Sequence, residues 1–224
     1  MNLEPILFCW SGGKDSALAL DALCRDARFR ITALLTTVTE GYDRVSMHGV
    51  RRELLARQAA MLSLPLSEVF IPPECVNAQY EARMEEALRA HCAQGIRKVA
   101  FGDIFLEDLR AYREHNLARL GMTGLFPLWK RDTRELAGSF VAAGFRAVAV
   151  CVDTRVLPRE FAGRELDGSF FRDLPAGVDP CGENGEFHTF VFAGPIFRAP
   201  IAVTPGETRD HPPFFFRDLI PAIS

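Results

Sequence analysis

The stretch Ile6-Leu7-Phe8-Cys9-Trp10-Ser11-Gly12-Gly13-Lys14-Asp15-Ser16-Ala17-Leu18-Ala19-Leu20-Asp21-Ala22-Leu23 decides the fold. It opens as an unbroken apolar run, the pattern of a strand buried on both faces, turns at a glycine pair and continues as a helix from about Ser16. Phe29 to Thr37, rich in Ile, Thr, Leu and Val, reads as a second buried strand. Strand, turn, helix and strand at this spacing predict a right-handed parallel unit.

The same alternation runs outward from there. Thr39 to His48 has no regular period and reads as a loop over the end of the sheet; Val50 to Leu62 reads as a helix and Leu66 to Ile71 as a strand stopped by Pro72-Pro73. A helix from about Ala78 to Cys92 precedes the strand Lys98 to Phe101, and Gly102-Asp103 falls at the carboxyl edge of the sheet. Leu106 to Leu120 is helical by pattern, Thr123 to Phe126 is a short strand ended by Pro127, Thr133 to Ala143 is a helix followed by Gly144, and Phe145 to Val152 is a β run. This predicts an α/β protein with an open, mostly parallel, doubly wound sheet. After Asp153 glycine and proline become dense and long helical patterns vanish, with Phe190 to Gly194 as a strand. A boundary near Leu128 to Asp132 is expected, with a nucleotide-site domain over 1–130 and a smaller α+β lobe over 131–224.

The totals agree with a globular protein. A fold of 224 residues buries roughly 70% of its unfolded surface, enough for a core of its own. The chain is 48% hydrophobic and 25% charged, and the charges interrupt every long apolar run, so no membrane span is expected. Met1-Asn2-Leu3-Glu4-Pro5 carries no basic flank, which argues against a signal peptide. Cysteines 9, 24, 75, 92, 151 and 181 form no close CxxC pair, the usage of a reduced, cytoplasmic chain. A net charge of -3 supplies no broad positive field, so nucleic acid is an unlikely partner and a small molecule or protein the better one; the oligomeric state stays open, a homodimer included.

Chemistry concentrates at Ser11-Gly12-Gly13-Lys14-Asp15-Ser16. Glycines after a strand let backbone approach a ligand, and the following helix aims free N–H groups and its positive dipole end at the same place, an anion site. Lys14 adds a full charge, and Ser11 and Ser16 offer hydroxyls. Asp15 cannot help a bare phosphate; its natural role is to hold Mg²⁺ bridging phosphates. A Walker loop is excluded by Phe8 and Asp15, which stand where a glycine and a Ser or Thr belong, and a dinucleotide fingerprint by the adjacency of Gly12 and Gly13.

A second polar cluster, Gly182-Glu183-Asn184-Gly185-Glu186-Phe187-His188-Thr189, is too dense in dissimilar groups for core. It reads either as a solvated hairpin or as a site that orients a substrate and manages a proton, with His188 the group titrating nearest neutrality. Asp103 follows a strand at the edge where α/β proteins place ligands. Arg110 and Glu114 make an i,i+4 pair on a helix, and Arg113 is available to neutralise an anion. Cys181 has acidic neighbours that disfavour a thiolate.

Ser-Gly-Gly-Lys-Asp-Ser at 11–16 is similar to the PP-loop of the ATP pyrophosphatases, of the adenine nucleotide alpha hydrolase type. Within that superfamily the chain resembles the diphthine-ammonia ligase family at Ser11–Ser16, Met47-His48-Gly49-Val50, Gly102-Asp103-Ile104, Arg113-Glu114, Pro127-Leu128-Trp129 and, above all, 182–189. The resemblance implies an ATP-dependent amide-forming ligase using ATP, Mg²⁺ and ammonium. A carboxylate acceptor, on a small molecule or on a protein such as elongation factor 2, is adenylated and then amidated, releasing AMP and pyrophosphate. It implies Ser11, Gly12, Gly13, Lys14, Asp15, Ser16, His48 and Gly102 at the nucleotide, with Asp15 on the metal. Glu183, Asn184, Glu186, His188 and Thr189 would face the acceptor, and Lys14, Asp103, Glu183, Glu186 and His188 would serve catalysis. Other readings are a tRNA-modifying PP-loop enzyme, against which the missing CxxC pair stands, and a non-catalytic ATP or AMP sensor, which has no need of a second polar cluster.

Overall fold

A computed structural model of the chain describes residues 3–45 and 49–222. The first sheet holds β1 (Glu4–Cys9), β2 (Phe29–Thr39), β3 (Arg44–Val45), β4 (Leu66–Ile71), β5 (Lys98–Ala100) and β6 (Thr123–Leu125). Its helices are α1 (Lys14–Cys24), α2 (Arg52–Leu62), α3 (Asn77–Ala93), α4 (Glu107–Ala118) and α5 (Thr133–Ala142). All pairings are parallel except that of β3 with β2. The expected doubly wound α/β architecture is therefore present. One detail is new: the segment 39–48, read as loop, contains the two-residue strand β3, which adds to Val38 and Thr39 past the end of β1.

Strand alternation explains how the sheet is covered. Ile6 and Phe8 of β1 point into one core and Leu7 into the other, and all three are fully buried. The first core receives α1, α2 and α5 through Leu20, Leu54 and Phe140; the second receives α3 and α4 through Leu88 and Leu117. Chain order reverses at β1, which lies between β2 and β5, so the crevice beyond the carboxyl ends of β1 and β5 is the topological switch point.

A second sheet, wholly antiparallel, runs β8-β7-β10-β9 with β7 (Arg146–Asp153), β8 (Phe187–Ala193), β9 (Val203–His211) and β10 (Phe214–Pro221). The β run at 145–152 thus continues the alternation in sequence but belongs to this smaller lobe. β8 starts at Phe187, three residues before the expected strand, and takes His188 and Thr189 out of the polar loop. The hairpin β9–β10 carried no expectation, because Pro205, Gly206 and Pro212-Pro213 break its pattern; an edge strand such as β9 tolerates them. Phe170, Phe187 and Phe190 join the same continuous core as Phe8 and Trp10, so the two lobes share one interior.

Candidate active site

The phosphate loop is held from four directions. Gly12 has φ +79°, and a Cβ there would come within 2.8 Å of Gln58 Oε1. Gln58 is fully buried, accepts from the Trp10 indole at 2.8 Å and donates to the carbonyls of Gly12 at 3.0 Å and Val191 at 2.6 Å. The Val191 amide in turn donates to Gly12 O at 2.9 Å. Gln58 was invisible in sequence: it is one amide in an amphipathic helix, and only its burial marks it.

Helix α1 begins at Lys14, two residues before the expected start, and no side chain of its own loop caps it. The cap comes from the second lobe, where Thr189 Oγ1 accepts from Lys14 N at 3.0 Å. Within the loop, Ser11 Oγ lies 3.0 Å from Ser16 Oγ and accepts from Gly13 N at 3.2 Å, while Ser16 Oγ donates to Gly13 O at 2.9 Å. Gly102 packs against the start of α1: a Cβ there would meet Ser16 N at 2.9 Å.

Lys14 is buried, lies 2.8 Å from Asp15 Oδ2, donates to the Cys181 carbonyl, and sits 5.3 Å from the centre of the Phe187 ring. The other oxygen of Asp15, Oδ1, is buried with no hydrogen-bond partner among the described residues. Burial lifts the Asp15 carboxyl above its usual range even with Lys14 beside it, so one lysine under-compensates this carboxylate. An unpartnered carboxylate oxygen at a phosphate loop fits a hard cation that takes its other ligands from phosphates and water. No group of three or more His, Cys, Asp or Glu suited to a metal occurs among the described residues.

The opposite wall comes from 179–189. Glu183 Oε1 accepts from Ile104 N at 2.7 Å and Phe105 N at 3.3 Å, tying the second lobe to the loop after β5. Burial pushes its carboxyl up to about 7 against the pull of those amides, with Asp15 adding to the rise. Burial likewise holds the His188 imidazole down at about 4, with Lys14 contributing, so the ring is neutral near neutrality. Asp179 Oδ2 accepts from Cys181 N at 3.1 Å and Glu183 N at 3.0 Å, a loop-forming role unseen in the sequence. The Cys181 thiol donates to Thr133 O at 3.4 Å, and burial drives its pKa to about 12.

Asp103 and Arg113 form an ion pair at 2.6 Å, with the Arg113 guanidinium 4.4 Å from the Phe101 ring centre. The exposed Arg110–Glu114 pair forms at 2.8 Å, and Arg110 also covers the Phe126 and Trp129 rings at 4.7 and 4.6 Å.

These residues enclose a cleft of about 360 Å³. Ser11, Gly13, Lys14, Asp15, Ser16, Gly102, Asp103, Glu183, His188 and Thr189 all line it. Three sequence candidates do not. The Gly12 carbonyl turns away to Gln58, and Asn184 and Glu186 bind each other: Glu186 Oε1 accepts from Asn184 Nδ2 at 3.0 Å and Asp179 N at 3.1 Å, while Oε2 accepts from Asn184 N at 3.0 Å. His48 lies outside the described residues.

Fold and cleft together define a two-lobed α/β protein with a glycine-loop anion cradle at the switch point of its parallel sheet. The family model for the diphthamide synthase N-terminal domain matches residues 6–124 and that for the C-terminal domain residues 132–216, and the chain belongs to the diphthamide synthase family. A Schizosaccharomyces pombe protein named diphthine--ammonia ligase is 27% identical over 222 residues, covering 90% of this chain; the chain spans only 36% of that relative's length. A Danio rerio protein of the same name is 27% identical over 222 residues, covering 90% of this chain and 87% of the relative. A solved structure from Methanocaldococcus jannaschii, described as a predicted subunit of tRNA methyltransferase, superimposes with a TM-score of 0.45 at 15% identity, over 65% of this chain and 80% of that one.

Proposed function

We propose that the chain is an ATP-dependent ligase that adenylates a carboxylate and passes ammonia to it, with diphthine on a protein acceptor as the substrate. The observation that carries this reading is the facing of two chemistries across one cleft: a phosphate cradle on the first lobe, and Glu183 and His188 on the second. The division of labour follows the two lobes, with 1–130 for nucleotide and 131–224 for acceptor.

In this reading the triphosphate lies on the amides at the start of α1, with Lys14, Ser11 and Ser16 on its oxygens. Asp15 Oδ1 and the phosphates would hold Mg²⁺, which supplies charge neutralisation at the phosphates. The apolar stretch of the cleft, with Leu35, Tyr80, Met84, Phe101 and Leu109, suits the flat face of a base. The acceptor carboxylate oxygen attacks the α-phosphorus, the bond to the β-phosphate bridging oxygen breaks, and pyrophosphate leaves. Ammonia then attacks the acyl carbon and AMP leaves with the carboxylate oxygen. Glu183, titrating near neutrality, suits the role of accepting the proton that the nitrogen sheds. The neutral His188 ring offers the nitrogen a hydrogen-bond partner in the same wall.

The test is to supply MgATP, ammonium and diphthine-bearing elongation factor 2, and to separate the nucleotide products. AMP and pyrophosphate formed only with all three substrates support the reading; ADP and phosphate overturn it.

A further inference from the structure

Glu183 lines the cleft, yet it stands in the stretch 179–186, which has neither helix nor strand. Backbone of that kind holds a side chain in one place only when its own polar groups are tied down. Two carboxylates do this. Asp179 Oδ2 accepts from Cys181 N at 3.1 Å and from Glu183 N at 3.0 Å, and the Asp179 carbonyl accepts from Gly182 N at 2.8 Å. Every amide from 181 to 183 therefore ends on Asp179, and Pro180 has no N–H to place. Gly182, at φ +64°, lets the turn close this tightly: a Cβ there would come within 2.8 Å of the Phe187 carbonyl oxygen. Asp179 is itself anchored from behind. Its amide donates to Oε1 of the buried Glu186 at 3.1 Å, and the same carboxylate takes both nitrogens of Asn184 at 3.0 Å.

The turn delivers two groups to the cleft. The Cys181 carbonyl accepts from Lys14 Nζ, and the Glu183 carboxylate reaches across to Ile104 N at 2.7 Å. The amides of these same two residues, Cys181 and Glu183, are the ones that Asp179 Oδ2 holds. Asp179 does not line the cleft; its carboxylate acts on the backbone of residues that do.

We infer that Asp179 is a positioning residue for the reaction: one carboxylate oxygen fixes Lys14, through the Cys181 carbonyl, and Glu183 relative to each other across the cleft. Its effect on turnover rests on the ligase reading above; its effect on the geometry does not.

The test compares Asp179→Ala, which removes the acceptor, with Asp179→Asn, whose amide oxygen still takes both backbone N–H groups. Amide proton–nitrogen spectra of the whole chain read the Ile104 N–H, whose resonance reports its bond to the Glu183 carboxylate. In Asp179→Ala this proton should move upfield, in the direction it takes in Glu183→Ala, where the partner is gone. In Asp179→Asn it should stay near its wild-type position. A residue that only stabilised the fold would lower the melting temperature and leave the Ile104 N–H where it is. Thermal melts show which variants are folded. If Asp179→Ala is not, Asp179→Ser replaces it in the same measurement, since the shorter side chain serves the amide of Cys181 but not that of Glu183. An unmoved Ile104 proton in the folded Ala or Ser variant, or an equal displacement in Asp179→Asn, overturns the proposal.

Turnover is read separately. With MgATP, ammonium and diphthine-bearing elongation factor 2, AMP release should fall about tenfold or more in Asp179→Ala and recover most of that in Asp179→Asn. If the wild-type chain releases no AMP, the ligase reading fails and the spectra alone decide the role of Asp179. If it does release AMP and Asp179→Ala matches it, the positioning role fails.

Discussion

Thr189 Oγ1, in the second sheet, accepts a hydrogen bond from the backbone amide of Lys14 at 3.0 Å, so the first turn of α1 is capped by the other lobe. A cap of this kind satisfies one of the free N–H groups of a helix start. Here it also couples the second sheet to the glycine loop, because residues 187–189, the start of β8, line the cleft.

Thr189→Val keeps the shape and strand preference and removes the acceptor. We expect a loss of about 1 kcal/mol of stability, the ordinary worth of such a cap, together with a raised KM for ATP. A melting curve and an ATP titration check this; an unchanged KM would show that the cap does not position the loop.

Gln58→Leu should cost more, about 2–3 kcal/mol, because it strands the buried Trp10 N–H and the buried carbonyl oxygen of Val191. Gly12 O keeps its bond from Val191 N, so the variant should fold. Its ATP affinity should fall, although Gln58 does not line the cleft. Denaturant titration measures the first effect and nucleotide binding the second.

Asp15→Asn tests the cation. The wild-type chain should bind ATP more tightly with Mg²⁺ than with EDTA, and the variant should show little difference between the two. Isothermal titration in both buffers decides it: a metal effect preserved in the variant would place the cation elsewhere.

Glu183 sets a pH window. Between its unfolded value of 4.5 and its folded value of about 7, the native protein keeps a proton that the unfolded chain has lost. Stability from this group therefore falls as pH rises through that window and is flat above it. His188 has the opposite slope, losing stability as pH falls from 6.5 towards about 4, and it contributes equally to wild type and variant. Glu183→Gln, whose amide oxygen still accepts from Ile104 N, should thus gain in melting temperature relative to wild type at pH 8 but not at pH 4.5. AMP release should drop by about a hundredfold or more if this carboxylate takes the proton. A pH-independent difference in melting temperature would remove the shifted carboxyl.

Gly102→Ala adds a Cβ 2.9 Å from Ser16 N and 3.0 Å from the Asp15 carbonyl carbon, both backbone atoms that cannot swing aside. We expect a folded protein with α1 displaced and ATP binding weakened about tenfold or more, a loss of about 1.4 kcal/mol; binding at wild-type strength would show that α1 has room to move.

The parallel sheet was legible from residues 6–37 because burial on both faces writes itself as an unbroken apolar run, and a glycine pair before a helix has few other uses. β4 matches its expected bounds for the same reason. β9 and β10 were not legible, since an edge hairpin with Pro205 and Gly206 obeys no apolar period and is held by its partner strand. The site divides in the same way. Residue types marked the glycine loop at 11–16 and the polar cluster at 182–189 as places of interest, because each concentrates particular atoms in a short span. Only the tertiary structure decided their division of labour: Thr189 became a helix cap, Glu186 and Asn184 closed on each other, and Glu183 and His188 faced the phosphate loop. Gln58 gained its place by burial alone. Local sequence determines what a side chain can bond; which bond it makes depends on the groups packing brings within reach, as near as 2 positions along the chain for Asn184 and Glu186 and as far as 175 for Lys14 and Thr189.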